Sequence, residues 1–232
     1  MSTIGSALRY QHKLSPYGSH SKLLKLATLE SKQTKVCLDI GCAAGFLAGE
    51  LTQVGWKVIG IEPDPQAAKQ AALICKVVLN QRIEDVNFSK LKPFHAVVLG
   101  DVLEHLAEPE KILDSIHSSL DDDGFILISI PNVANITVRT ALLFGNFNYT
   151  SRGILDYTHL RFYTKKTVLA LIRECKFEIQ KIQVTPVPIE LFMSFLLRKR
   201  LRFILRFFDI LTSIFPKILG YQFIILAKKQ SS

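Results

Sequence analysis

Val36-Cys-Leu-Asp-Ile-Gly-Cys-Ala-Ala-Gly45 is a short apolar run that ends in an aspartate and opens into a loop of small residues. Residues 36–40 read as a buried strand, and the small residues from Gly41 to Gly45 let the backbone turn tightly into a helix. Outward from this stretch the pattern repeats. Lys57–Ile61, Lys76–Leu79, Phe94–Leu99 and Phe125–Ile130 are short β-branched runs bounded by Gly, Asp or Pro, as strands buried on both faces should be. Helical segments are expected between them at 45–54, 64–75 and 108–120, with Asp64 and Glu108 as start signals because each precedes a proline at the first helical position. A helix is also expected to follow Ser19-His20, carrying Leu23, Leu24 and Leu26. Strand and helix in alternation specify a doubly wound α/β fold with a mostly parallel sheet.

The rest of the chain fits around that core. Asn132–Tyr163 is polar, aromatic and too long for an ordinary connection, so a lid is expected there. A helix at 164–175, a strand at 177–185 and a last strand at 221–227 follow, with 186–219 interposed before the last. The expectation is one domain: an N-terminal cap at 1–34, core and lid at 35–185, a basic apolar helical insertion at 186–219, and the last strand and tail at 220–232. At 232 residues, 48% hydrophobic and 21% charged, the chain is long and apolar enough to pack a single core, which excludes a disordered or coiled-coil architecture. Its four cysteines form no C-x-x-C pair, so neither a disulfide scaffold nor a zinc site is expected, and a reducing cytosol fits; no metal is anticipated. Neither a secretory signal nor an uncharged apolar run of about 18 residues is read, so no membrane crossing is expected. The net charge of +9 is uneven, because residues 176–232 hold ten basic against three acidic residues.

Ligands of an open parallel sheet bind beyond the carboxyl ends of the strands. Glu62 ends the second strand 21 residues past Gly41, the position of an acid that binds ribose hydroxyls, which suggests an adenosine-containing cofactor. NAD is disfavoured because Phe46 occupies the place of the third small residue of the dinucleotide fingerprint. A carboxylate at Asp39 would repel a pyrophosphate but attract an ammonium or sulfonium. The absence of a G-x-x-x-x-G-K-[ST] run excludes phosphate-cradling NTPase chemistry.

Together, residues 36–45, Glu62, Gly100-Asp-Val-Leu-Glu-His105 and Gly124–Pro131 resemble the class I S-adenosylmethionine-dependent methyltransferases. The resemblance implies a seven-stranded Rossmann-like sheet with an antiparallel last strand and S-adenosylmethionine as cofactor. It further implies that Asp39, Gly41 and Gly45 hold the methionine end, Glu62 the ribose, Ile83 with Glu84 the adenine edge, and Asp101 the floor beneath the methionine. Ala43 stands at the second glycine of that motif, a small change compatible with close backbone approach. Gln81-Arg82 replace a frequent Gly-Asp pair. Ser19-His20, Gly145–Tyr149 and Gly153–Thr164 resemble a branch associated with surface-polysaccharide and other small-molecule methylation. That implies a small or lipid-linked, glycan-type acceptor.

A sugar hydroxyl is a poor nucleophile until its proton is removed, so a base beside the acceptor is expected for O-methylation. His159, in Asp156-Tyr157-Thr158-His159, is the first candidate for base or substrate ligand, and His105 is the second, with Glu104 placed to orient it. His20, Asp156, Tyr157 and Arg161 are candidates for substrate contact, Arg161 through an anionic group. Helix-entry turns, capping and surface salt bridges are the structural alternatives for these residues. Amine, carboxylate or RNA methylation, and a cofactor-binding scaffold without activity, stay open as functional alternatives.

Residues 198–215 read Arg-Lys-Arg-Leu-Arg-Phe-Ile-Leu-Arg-Phe-Phe-Asp-Ile-Leu-Thr-Ser-Ile-Phe. On a helix, Arg202, Arg206, Asp209 and Ser213 share one stripe and apolar residues cover most of the rest. Five basic residues next to so many Phe, Leu and Ile suit a helix lying in the headgroups of an anionic membrane, which would make a cytoplasmic protein peripheral at the inner face. Packing on its own domain or a second subunit is the alternative. Nucleic acid is disfavoured, because strand four leads into Asp-Val-Leu-Glu-His rather than an Asn/Asp-Pro-Pro-aromatic motif and the basic run is interleaved with aliphatics.

Overall fold

A computed structural model describes residues 15–30, 35–189 and 202–230. Helix α1 (Ser19–Leu29) precedes five strands with three helices between them: β1 (Val36–Ile40), α2 (Phe46–Gln53), β2 (Lys57–Ile61), α3 (Pro65–Ala71), β3 (Val77–Leu79), β4 (Ala96–Gly100), α4 (Pro109–Ser119) and β5 (Phe125–Pro131). Then come α5 (Ile136–Leu143), α6 (Lys165–Glu174), β6 (Phe177–Thr185), α7 (Arg202–Ile214), α8 (Pro216–Leu219) and β7 (Gln222–Lys229). The seven strands form one sheet in the order β3-β2-β1-β4-β5-β7-β6. β1 to β5 are mutually parallel, while β7 runs antiparallel between β5 and β6, as expected.

Alternation along the central strands builds two apolar layers. Leu38 and Ile40 of β1, Val97 and Leu99 of β4, and Ile126, Ile128 and Ile130 of β5 point to the layer shared with α4 and α6. Cys37, Val98 and Leu127 point to the other, shared with α1 and α2. A sheet covered on both faces explains why these strands read as unbroken apolar runs rather than alternating ones.

The structure revises several local expectations. Helix α3 ends at Ala71, not at 75. Asp64 caps it by accepting from the Ala67 amide at 2.7 Å, whereas Glu108 makes no side-chain cap at α4 and pairs instead with Lys111 at 2.6 Å. The segment expected as a lid contains a helix, α5, of which only Val138 is buried. Part of the N-terminal cap and the basic residues Arg198, Lys199 and Arg200 lie outside the described residues.

Candidate functional site

The strand order reverses between β1 and β4, so the crevice lies where Asp39 ends one strand and Asp101 follows the other. From β1 the chain turns through Gly41 (φ 67°), Ala43 (φ 48°) and Gly45 (φ 81°) into α2. All three are left-handed. Gly45 has a second reason to be glycine, since a Cβ there would lie 3.0 Å from the Ala71 Cα of α3. Ala43, read from the sequence as a small substitution, therefore sits in a conformation that disfavours a Cβ. Glu62, buried at the end of β2, holds this loop: Oε2 accepts from the Ala43 amide at 2.8 Å and Oε1 from the Asp64 amide at 2.9 Å. Each carboxylate oxygen keeps further acceptor capacity for a hydroxyl.

His20 on α1, Asp39, Gly41, Cys42 and Gly100 line a narrow hollow with Phe46 and Leu47 over the β1 and β4 ends. His20, expected at the cofactor or the substrate, stands on the side of the glycine-rich loop. Asp101 adopts φ 58°, and its Oδ1 accepts from Ser129 Oγ and Gln222 Nε2, each at 2.7 Å. Of the two residues expected at the adenine edge, Ile83 is buried and Glu84 is exposed and paired with Arg82 at 3.0 Å. That pairing, first among the causes, holds the Glu84 carboxyl below its ordinary value. The donor chemistry fits a cationic, ribose-bearing group: Asp39 and Asp101 beside the loop and Glu62 for a diol.

Asp101 also lines a larger cavity of about 380 Å³, with Glu104, His105, Arg152, Asp156 and His159 on its walls and Tyr17, Thr185, Tyr221 and Gln222 around them. The lid segment is laid over the β4 end by its backbone, because the amides of Leu160 and Arg161 donate to the Glu104 carbonyl at 2.8 and 3.1 Å. The His105 and His159 rings meet edge to face at 4.8 Å. His159 Nδ1 lies 3.0 Å from the Ile154 carbonyl and His105 Nδ1 3.2 Å from the Thr158 carbonyl. A carbonyl only accepts, so both Nδ1 atoms carry a proton and each Nε2 points away from these bonds. Burial, the largest effect, lowers the His159 pKa and keeps the ring neutral. Asp156 accepts from the Thr158 amide and hydroxyl at 2.9 and 2.7 Å; burial raises its pKa, but these bonds and the two imidazoles bring it below the ordinary value.

Glu104 does not orient His105. It is buried, neither carboxyl oxygen has a hydrogen-bond partner, and burial, then Asp101 and Asp156, push its pKa well up, which favours the protonated carboxyl. The ligand atoms of Glu104, His105 and His159 lie within 4.8 Å of one another, a set that can hold a cation and that no sequence spacing announces. Arg161 is placed elsewhere: its Nη1 pairs with Glu110 at 3.0 Å and its Nε donates to the Ala107 carbonyl at 3.1 Å, tying the lid to α4. Tyr157 is exposed and not among the cavity residues. Tyr17, Arg152, Thr185, Tyr221 and Gln222 were not legible as site residues, because they come from four segments with no motif in common.

A family model described as a methyltransferase domain matches residues 10–182. Among curated proteins, the chain is 29% identical over 117 residues to the mitochondrial ubiquinone biosynthesis O-methyltransferase of Bos taurus, covering 47% of this chain and 32% of that protein. It is 30% identical over 139 residues to the ubiquinone biosynthesis O-methyltransferase of Xanthomonas axonopodis pv. citri, covering 57% of each. The chain thus spans about a third to three-fifths of the length of these relatives. Among solved structures, a possible histamine N-methyltransferase from Thermotoga maritima superposes with a TM-score of 0.66 at 18% identity, over 98% of this chain and 96% of that one. Magnesium protoporphyrin IX methyltransferase from Synechocystis PCC 6803 with bound SAH gives 0.66 at 13% identity, over 99% and 89%. At such identities these two likenesses speak for the fold.

Proposed function

Because the chain belongs to the class I S-adenosylmethionine-dependent methyltransferases, its methyltransferase-domain match covering residues 10–182, we propose that it methylates a hydroxyl of a small, lipid-like acceptor. The observation that carries this reading is the 380 Å³ cavity, which opens beside Asp101 and presents the His159 and His105 imidazoles with their Nδ1 atoms already engaged by the Ile154 and Thr158 carbonyls. The curated relatives named as ubiquinone biosynthesis O-methyltransferases support a hydroxyl on a small lipophilic molecule. The lipid-linked glycan expected from the sequence is one member of that wider class, to be tested beside lipid-linked phenols.

When bound, the cofactor supplies an electrophilic methyl group on a sulfonium centre. Asp39, Gly41 and Gly45 hold its amino-acid end, Glu62 its ribose, and Ile83 one face of its base. Asp101, fixed by Ser129 and Gln222, sets a negative charge beside the cationic centre. In the cavity, His159 Nε2 takes the proton of the acceptor hydroxyl as its oxygen becomes nucleophilic, and the Ile154 carbonyl stabilises the imidazolium through Nδ1–H. His105 packs against that ring and limits its rotation, and the walls hold the acceptor oxygen in line. Asp156 turns the His159 segment through its bonds to Thr158.

The experiment is a screen of lipid-linked phenols and lipid-linked sugars with S-adenosylmethionine, read as formation of S-adenosylhomocysteine, with His159→Ala in parallel. Turnover of a hydroxyl acceptor that His159→Ala abolishes while cofactor affinity is retained supports the reading. Equal turnover by both proteins removes His159 from the chemistry.

A further inference from the structure

Helix α7 carries its polarity inside out. Its inner side is Leu205, Asp209 and Thr212: the first and last are buried, and Asp209 Oδ1 pairs with Lys22 Nζ of α1 at 2.6 Å. The same Lys22 Nζ donates to the Val184 carbonyl at 2.7 Å, so the ion pair pins α7 to α1 and to the end of β6. The outer side is Phe203, Phe207, Ile210 and Ile214, a helical stripe whose members are between 50% and 71% exposed. Phe215 and Ile218 extend it onto α8, and all of these are larger and more apolar than a solvated helix face tolerates.

The charges around the stripe say what covers it. Between 191 and 232 the sequence holds one acidic residue, Asp209, and the structure spends it inward on Lys22. Among the described side chains of α7 and α8, the charges left at the surface are Arg206 and Lys217, both exposed and both cationic. A second copy seated here by a two-fold would set Arg206 and Lys217 against the same two cations. An anionic, fluid apolar surface meets both needs at once. We propose that the outer face of α7 and α8 lies in the headgroup region of an anionic lipid bilayer, with its Phe and Ile side chains inserted and Arg206 and Lys217 on the lipid phosphates. Among the described residues no helix is long and apolar enough to cross a membrane, so the contact is interfacial.

The location connects this face with the cavity. Asn132 and Asn135, both buried, donate to the Gly220 carbonyl at 2.8 and 2.9 Å, which fixes the lid entrance to the end of α8. The next residues, Tyr221 and Gln222, line the cavity. The proposed bilayer face therefore ends where the cavity wall begins, which would bring a lipophilic acceptor to the site. This last step rests on the proposed acceptor class, whereas bilayer binding itself does not.

Sedimentation of the full chain with vesicles of phosphatidylcholine, with and without phosphatidylglycerol, at low and high salt, tests the proposal. Binding is expected to the phosphatidylglycerol vesicles, weakened by salt, and reduced at least about tenfold in the double variant Phe207→Glu, Ile210→Glu. A second variant, Arg206→Glu with Lys217→Glu, keeps the stripe and is expected to lose the salt-sensitive part. Melting temperature and S-adenosylhomocysteine affinity, unchanged in both variants, report that the fold stands and separate this test from that of the methyltransferase reading. Absence of binding to anionic vesicles at low salt, equal binding to both vesicle types, or a dimer in sedimentation equilibrium that Phe207→Glu dissociates would each overturn the assignment.

Discussion

Three side chains of the candidate site, His159, Glu104 and Ala43, can be tested one residue at a time. His159 is held neutral by burial, with its Nδ1–H on the Ile154 carbonyl. His159→Ala is expected to lower kcat by about 10²–10⁴-fold with cofactor affinity unchanged, the range for loss of a general base. Because burial lowers its pKa, the acid limb of the wild-type kcat profile should fall below the usual imidazole value of about 6.5. A limb at or above that value would assign the proton to another group. Glu104 titrates in the opposite direction. Its folded pKa is raised, so the native state keeps a proton that the unfolded chain releases near pH 4.3, and stability is lost as pH rises from that value toward the folded one. Glu104→Gln removes this slope, so its stability relative to wild type should grow by about 1.4 kcal/mol per pH unit across that window. Urea unfolding at pH 5 and pH 8 reads the difference, and equal differences at the two values would mean that Glu104 is ionised in the fold. Ala43 is strained at φ 48°. Relief of about 1–2 kcal/mol of left-handed strain outweighs about 0.5–1 kcal/mol of added backbone freedom, so Ala43→Gly should raise stability by about 0.5–1 kcal/mol. Denaturant midpoints check this, and a loss of stability would contradict it.

At the scale of elements, the lid depends on two buried asparagines rather than on an apolar face. Asn135 Oδ1 accepts from the Thr137 amide at 2.9 Å to cap α5, while its Nδ2 donates to the carbonyls of Leu219 and Gly220 at 3.1 and 2.9 Å. Asn135→Ala removes the α5 cap and both of its bonds to 219–220, leaving the Gly220 carbonyl only its Asn132 donor, and should cost about 1–3 kcal/mol, with α5 the first segment to exchange its amide hydrogens. Hydrogen exchange that stays unchanged across 136–143 would show that α5 is held by something else. The same contrast explains what could be read from the sequence. β1, β4 and β5 announced themselves because a strand covered on both faces must be apolar throughout, and α6 because its Thr164 start and its buried Val168, Leu171 and Ile172 keep helical spacing. Helix α5 buries Val138 alone, so it has no apolar stripe for a periodic reading to find. Helix α7 does have a stripe, but composition could not tell which side faces the core; the Lys22–Asp209 pair decides that, 187 residues apart in sequence.

For the whole molecule, the two halves of the site differ in how they are encoded. The proposed cofactor side follows the strand ends of one parallel sheet, so Asp39, Gly41, Gly45, Glu62 and Asp101 could be placed at the crevice by counting along the chain. The acceptor side is gathered from α1's entrance, the lid, the end of β6 and the start of β7, so its walls exist only once the chain is folded. Arg161 shows the limit of motif reasoning: it lies beside the site residues in sequence, yet its guanidinium braces the lid on Glu110. The central claim, that Asp39, Glu62 and Asp101 frame a site for S-adenosylmethionine, meets its most direct test in calorimetric titration of the intact chain with S-adenosylmethionine, S-adenosylhomocysteine and NAD. The account predicts saturable, one-to-one binding of the first two in the micromolar range, abolished by Asp39→Ala, and none of NAD. Failure to bind either sulfur nucleotide, or binding of NAD in their place, would contradict it.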